Sequence, residues 1–99
     1  MSSRHHLTVN CLAVEEGWQC RVIVGADPAA TTHQVQVDAG LLQRLRPGAT
    51  DPEELVRDSF AFLLEREPRE SILRSFELPV IGRYFPEWEA EIRERPLGG

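Results

Sequence analysis

The clearest pattern of apolar and polar positions in this chain is helical and lies in Asp51–Glu67, DPEELVRDSFAFLLERE. At about 100° per residue, Leu55, Val56, Phe60, Phe62, Leu63 and Leu64 share one broad sector. That sector covers roughly half the circumference, wider than the stripe of an ordinary surface helix. Ser59 lies inside it, where a small side chain lets a neighbour come close. Asp51 can accept from the free amides of the first turn, and Pro52 suits the first helical position. Glu54 completes a capping box, Glu53 and Arg57 stand four apart in the favourable order, and Pro68 stops the helix. Two arrangements fit so wide a sector. Either this is the central helix of a small monomer, or Leu55, Phe60, Phe62 and Leu63 form the core of a homodimer.

Before this helix the period changes from helical to alternating. Leu7–Val14 and Trp18–Val24 read as paired strands, with Trp18, Cys20, Val22 and Val24 on one face. Glu16-Gly17 is the expected turn, with Gly17 supplying positive φ. A two-residue loop there pairs Ala13 with Cys20 and turns Val9, Cys11 and Ala13 to the apolar side. A bulged loop turns Leu12 and Val14 there instead, and the first choice gives the cleaner face. Thr32–Asp38 is a third strand, with His33, Val35 and Val37 inward and Gln34 and Gln36 outward. Gly40–Leu45 is a short helix, closed by Arg46-Pro47-Gly48.

After Pro68, the spacing of Ile72, Leu73 and Phe76 predicts one or two further helical turns over Arg69–Phe76. Pro79 and Pro86 divide the rest into short pieces. Glu89/Arg93 and Glu91/Arg95 support a final short helix, and Met1–Arg4 and Pro96–Gly99 read as tails. The expected fold class is α+β: a three-stranded antiparallel sheet over 7–38, helices over 40–67, and a C-terminal docking segment over 68–95. The 99 residues make a single domain. Val80, Ile81, Tyr84, Phe85, Trp88 and Ile92 carry too much apolar surface to stay in water. They either complete the core of their own subunit or dock on a partner.

Composition narrows the classes. Hydrophobic residues at 41% and charged residues at 27% argue for a globular chain. No run is long enough to cross a membrane and no signal peptide opens the chain, so the expected compartment is the cytoplasm. Net charge is −5, which disfavours a general nucleic-acid coat. Residues 1–50 hold four acids and four arginines, and residues 51–99 twelve acids and seven arginines, so the second half holds the whole excess.

Candidate chemistry is sparse. Two cysteines, Cys11 and Cys20, are too few for a disulfide scaffold, and in the expected register they are not opposite, so free buried thiols are expected. His5, His6 and His33 form no metal-ligand spacing with them. His5 and His6 read as a solvated N-terminal feature. A nucleophilic cysteine would need His33 beside it. There is no G-x-S-x-G elbow, phosphate loop or H-E-x-x-H. No enzyme activity, cofactor or metal is expected.

HQVQVD, AGLLQRL, RPGAT and DPEELVRDSFAFLLERE follow one another as strand, short helix, turn and capped helix. Over residues 33–67 this order resembles the ribbon-helix-helix proteins among bacterial repressors and antitoxins, and more loosely the HicB-type antitoxins. The resemblance implies a homodimer that pairs its strands and reads DNA through Gln34 and Gln36. It also implies a phosphate held by the amides near Pro52 and Glu53. The ribbon has no Arg or Lys, Asp38 ends it, and Glu53 and Glu54 stand at the phosphate position. The C-terminal run FAFLLEREPRESILRSFELPVIGRYFPEWE is similar to the ends of a set of short bacterial proteins of unassigned function. The expected function is that of a small non-catalytic regulatory protein of antitoxin-like type. It acts by dimerising and binding a toxin-like partner or DNA. The alternative is an interaction module or assembly subunit without nucleic acid. An acidic surface suits the covering of a basic partner.

Overall fold

The computed structural model describes residues 6–94. Expectations for Met1–Arg4, His5, Arg95 and Pro96–Gly99 lie outside them. Over the described residues the architecture is α+β, with four strands in one mixed sheet and four α-helices. β1 (Leu7–Val14), β2 (Gly17–Val24) and β3 (Thr31–Asp38) form the expected antiparallel meander. Helices α1 (Ala39–Leu45) and α2 (Glu53–Leu64) follow. A short strand, β4 (Ser75–Glu77), then adds in parallel to the outer side of β3, giving the order β1-β2-β3-β4. The chain ends in α3 (Val80–Tyr84) and α4 (Trp88–Glu94).

β4 corrects the helical reading of Arg69–Phe76. Arg69–Ser71 is a single 3-10 turn, and the chain then runs extended. Gln34 N–H donates to the Arg74 carbonyl at 2.7 Å, and Leu78 N–H to the Gln36 carbonyl at 2.9 Å. The open side of β3 offers main-chain partners that a second helical turn would forgo.

The hairpin turn is Glu15-Glu16, two residues from the expected register. Val14 stands opposite Gly17, Ala13 opposite Trp18 and Cys11 opposite Cys20. A shift of two leaves the inward face unchanged: Val9 and Cys20 are buried and Leu7 and Cys11 half-buried, although Ala13 is exposed. It does change the thiol chemistry. Cys11 and Cys20 are 4.0 Å apart at Cα and form a disulfide, which corrects the expectation of free thiols. They sit at a non-hydrogen-bonded pair, where opposed side chains come closest.

Gly17 is not needed for positive φ, which occurs only at Gly25 and Gly48 among the described residues. A Cβ on Gly17 would instead run into the Val37 carbonyl oxygen. Nearby, Ala39 N–H donates to the Glu16 carbonyl at 3.0 Å, and the Asp38 carboxylate accepts from Gly40 N–H at 2.9 Å. Together these bonds fix the start of α1.

α2 starts one residue later than expected, with Pro52 just ahead of the helix and Asp51 Oδ1 accepting from Glu53 N–H at 3.0 Å. The Glu53–Arg57 pair forms as expected, at 3.1 Å. The broad apolar sector of α2 is covered twice within one chain. Phe60 meets His33 and Phe76 on the sheet side, at ring separations of 5.4 and 6.1 Å. Phe62 meets Phe85 edge-on at 5.8 Å, and Ser59 meets Trp88. Leu55, Phe60, Phe62 and Leu63 are therefore buried in their own subunit and are not a dimer core. The C-terminal segment supplies the cover that a partner would otherwise have given.

Arg66 fastens that segment in place. Its guanidinium lies 3.6 Å from the Phe62 ring centre and pairs with Glu87 and Glu91 of the C-terminal segment at 3.3 and 3.2 Å. Glu89, expected to pair with Arg93, instead reaches Arg44 of α1 at 2.7 Å.

Candidate functional site

The docking residues expected in the C-terminal segment divide into two sets. Trp88 and Ile92, on one side of α4, are fully buried and belong to the core, as does Ile81. Val80 and Phe85 are half-buried, and Tyr84 is 67% exposed. α3 is a single turn between Pro79 and Pro86, too short to bury both of its sides. Leu73, which is 47% exposed, lines the same hollow as α3. Ile72 and Leu73 are adjacent in extended chain, so their side chains point opposite ways, and only Ile72 is buried.

These residues surround an apolar recess of about 240 Å³. Its walls are Leu63 at the end of α2, Ile72, Leu73, Phe76, and Val80, Ile81, Tyr84 and Phe85 from α3. Glu67 and Ser71 stand at its margin. Among the described residues, Glu67 has no ion pair or side-chain hydrogen bond. Glu67 is thus the charged residue of a mainly apolar lining.

Gln34 and Gln36 lie elsewhere, on the sheet face that carries no helix. Arg21 and Ser75 flank Gln34, and Gln19 and Glu77 flank Gln36. Over this stretch β3 has a strand on each side, so it has no free edge with which to form a two-stranded ribbon. By alternation the bare face also carries Thr8, Asn10, Leu12, Val14, Ile23 and Thr32. Among the described residues it offers one guanidinium, that of Arg21, and no aromatic ring for base stacking. At the start of α2, the Glu53 amide already donates to Asp51.

His33 and the cysteines do not form a catalytic pair. His33 is fully buried. Its Nδ1–H donates to the Leu73 carbonyl at 2.7 Å, and its Nε2 accepts from the Thr31 hydroxyl at 2.8 Å. Burial lowers its pKa below 6.5; the Leu73 hydrogen bond opposes this shift, and the Arg74 charge adds to it. A neutral ring satisfies both bonds, and the sulfur atoms are held in the cystine.

Arg46 is a second buried polar group. Its Nη2 donates to Asp58 at 2.8 Å and to the Ile92 carbonyl at 3.1 Å, while Nε and Nη1 have no hydrogen-bond partner. Those two nitrogens are closed to solvent, and Arg46 lines a recess together with Asp51 and Glu54. The arrangement does not suit an anion. Among the described residues no three His, Cys, Asp or Glu side chains gather as metal ligands, and no helix is long and apolar enough to cross a membrane.

The fold and recess thus define a small α+β protein, with helices on one face of a mixed sheet and an apolar hollow beside its short edge strand. No protein-family model, curated protein or solved structure matches the chain. The likeness of residues 33–67 to ribbon-helix-helix proteins therefore rests on the order of their elements.

Proposed function

We propose that this chain is a non-catalytic regulatory protein that acts by binding, in the manner of an antitoxin. It pairs with a second copy and holds a basic partner protein through the recess around Leu73 and Tyr84. The observation that carries this reading is the exposure of those two side chains over an apolar hollow. Solvated apolar surface of this kind is costly unless something covers it. The unpaired Glu67 at the margin and the acid excess of residues 51–99 favour a partner whose apolar segment is flanked by Lys or Arg. Tyrosine suits an interface centre, and the surrounding charges suit its rim. Recognition of DNA has less support, because Gln34 and Gln36 lie within a sheet with almost no positive charge. The proposed compartment is the cytoplasm. Where that is reducing, Cys11 and Cys20 stand opposite one another as thiols.

The test is co-expression with the product of the adjacent gene, followed by copurification. The wild-type chain is expected to retain that product, and a Leu73→Glu, Tyr84→Glu variant to lose it while keeping its circular dichroism and melting temperature. Equal retention by the variant, or none by the wild type, overturns the reading. A gel shift on the upstream DNA that depends on Gln34 and Gln36 would replace it with DNA binding.

A further inference from the structure

The recess lies near β4, at one edge of the sheet. The opposite edge, β1, is open along only half its length. The side to which each main-chain group points follows from the ladder. Gly25 N–H donates to the His6 carbonyl at 2.7 Å, so even-numbered residues of β1 bond to β2 and odd-numbered ones point outward. At the first outward position, the Leu7 carbonyl accepts from Arg57 Nη1 at 2.9 Å. At the second, Val9 is buried. Beyond these, Cys11 is half-buried and Ala13 exposed, and no described residue bonds to their outward N–H and C=O groups. Leu12 and Val14 flank that stretch on the bare face, 74% and 52% exposed.

Edges left open in this way are normally blunted by charge, proline or a bulge. LTVNCLAV has no charge and no proline, and its ladder with β2 runs unbroken. A row of main-chain donors and acceptors at strand spacing is a template for a further strand. We propose that this strand is β1 of a second copy, antiparallel about a two-fold axis at Leu12. This names the surface of the self-pairing included in the proposed function, and it rests on that reading. The register follows from which groups are free. Pairing Cys11 with Ala13 of the copy, and Ala13 with Cys11, uses the open positions and leaves the covered Leu7 and Val9 out. The axis then brings Leu12 against its own copy at a non-hydrogen-bonded pair, and Val14 opposite Asn10. Two four-stranded sheets become one of eight. The pairing uses only a short stretch of β1, so the dimer is expected to dissociate on dilution.

The test is mass by light scattering on the full chain. At about 100 μM the wild type is expected at twice the monomer mass, falling toward the monomer on dilution. Ala13→Pro removes an N–H that the monomer does not use, at an edge where proline is tolerated. Leu12→Arg changes only the bare face. Both are expected to stay monomeric at that concentration with wild-type circular dichroism. With the native cystine formed, Leu12→Cys is expected to give a disulfide-linked dimer on air oxidation, and Asn10→Cys is not. A monomeric wild type, undiminished dimer in both edge variants, or crosslinking through Asn10→Cys in place of Leu12→Cys overturns the proposal. The recess is at the far edge, so Leu73→Glu, Tyr84→Glu leaves the mass unchanged, and Leu12→Arg leaves partner retention unchanged. Failure of either reading is thus told apart from failure of the other.

Discussion

Trp88 Nε1–H donates to Ser59 Oγ at 3.2 Å, joining α4 to α2 at a site closed to water. The small residue in the apolar sector of α2 receives the largest side chain of the C-terminal segment and satisfies its one polar atom. The segment is part of the core. Trp88→Ala is expected to cost about 3–5 kcal/mol in urea unfolding, and Ser59→Ala about 1–3 kcal/mol, because it strands the indole N–H. Truncation after Glu77 is expected to abolish cooperative unfolding.

His33 makes stability depend on pH. Its pKa is about 6.5 in the unfolded chain and lower in the fold, chiefly because of burial. Below that value the unfolded state binds more protons, so stability falls as the solution is acidified. The contribution is complete above about pH 6.5 and is lost as pH drops through the folded-state value. Melting temperatures between pH 7 and 5 should fall for the wild type and change less for His33→Gln.

Buried Arg46 pairs with half-buried Asp58, with two further guanidinium nitrogens already unpartnered. Asp58→Ala leaves a buried charge uncompensated and is expected to cost about 3–5 kcal/mol. Arg46→Met combined with Asp58→Leu should cost far less than Asp58→Ala alone, since no charge then remains to be paired. Denaturant midpoints for the two variants and wild type decide the matter.

The cystine closes a short loop between residues nine apart in sequence. On the chain-entropy account, a loop of this size contributes on the order of 2–3 kcal/mol. Urea unfolding with and without dithiothreitol should differ by about that amount, with circular dichroism of the native state unchanged.

The local patterns along the chain foretold most of this fold. Alternation at Trp18, Cys20, Val22 and Val24 marks the inward face of β2, and the sector from Leu55 to Leu63 marks α2. Two features were out of reach. Ser75–Glu77 carries no alternation of its own, because three residues are too few; it becomes a strand through parallel pairing with β3, some forty residues away in sequence. Gly17 resembles a turn glycine, but its small size is required by the nearby Val37 carbonyl, so the turn moved and the cysteines met. Of the candidate site, Tyr84, Val80 and Phe85 were legible as surplus apolar surface. Leu73 was not, since helical spacing placed it beside Ile72 and Phe76. Its outward direction follows only once that stretch is extended.

The close fit at Gly17 has a consequence for engineering the chain. Hairpin tips are usually the first place to graft a tag or lengthen a loop. Here the tip is an abutment: the Glu16 carbonyl receives the first amide of α1, and Gly17 leaves no room for the backbone to be displaced. An insertion at Glu15-Glu16 would be felt at the far end of the sheet's third strand, where α1 begins, and not only at the surface.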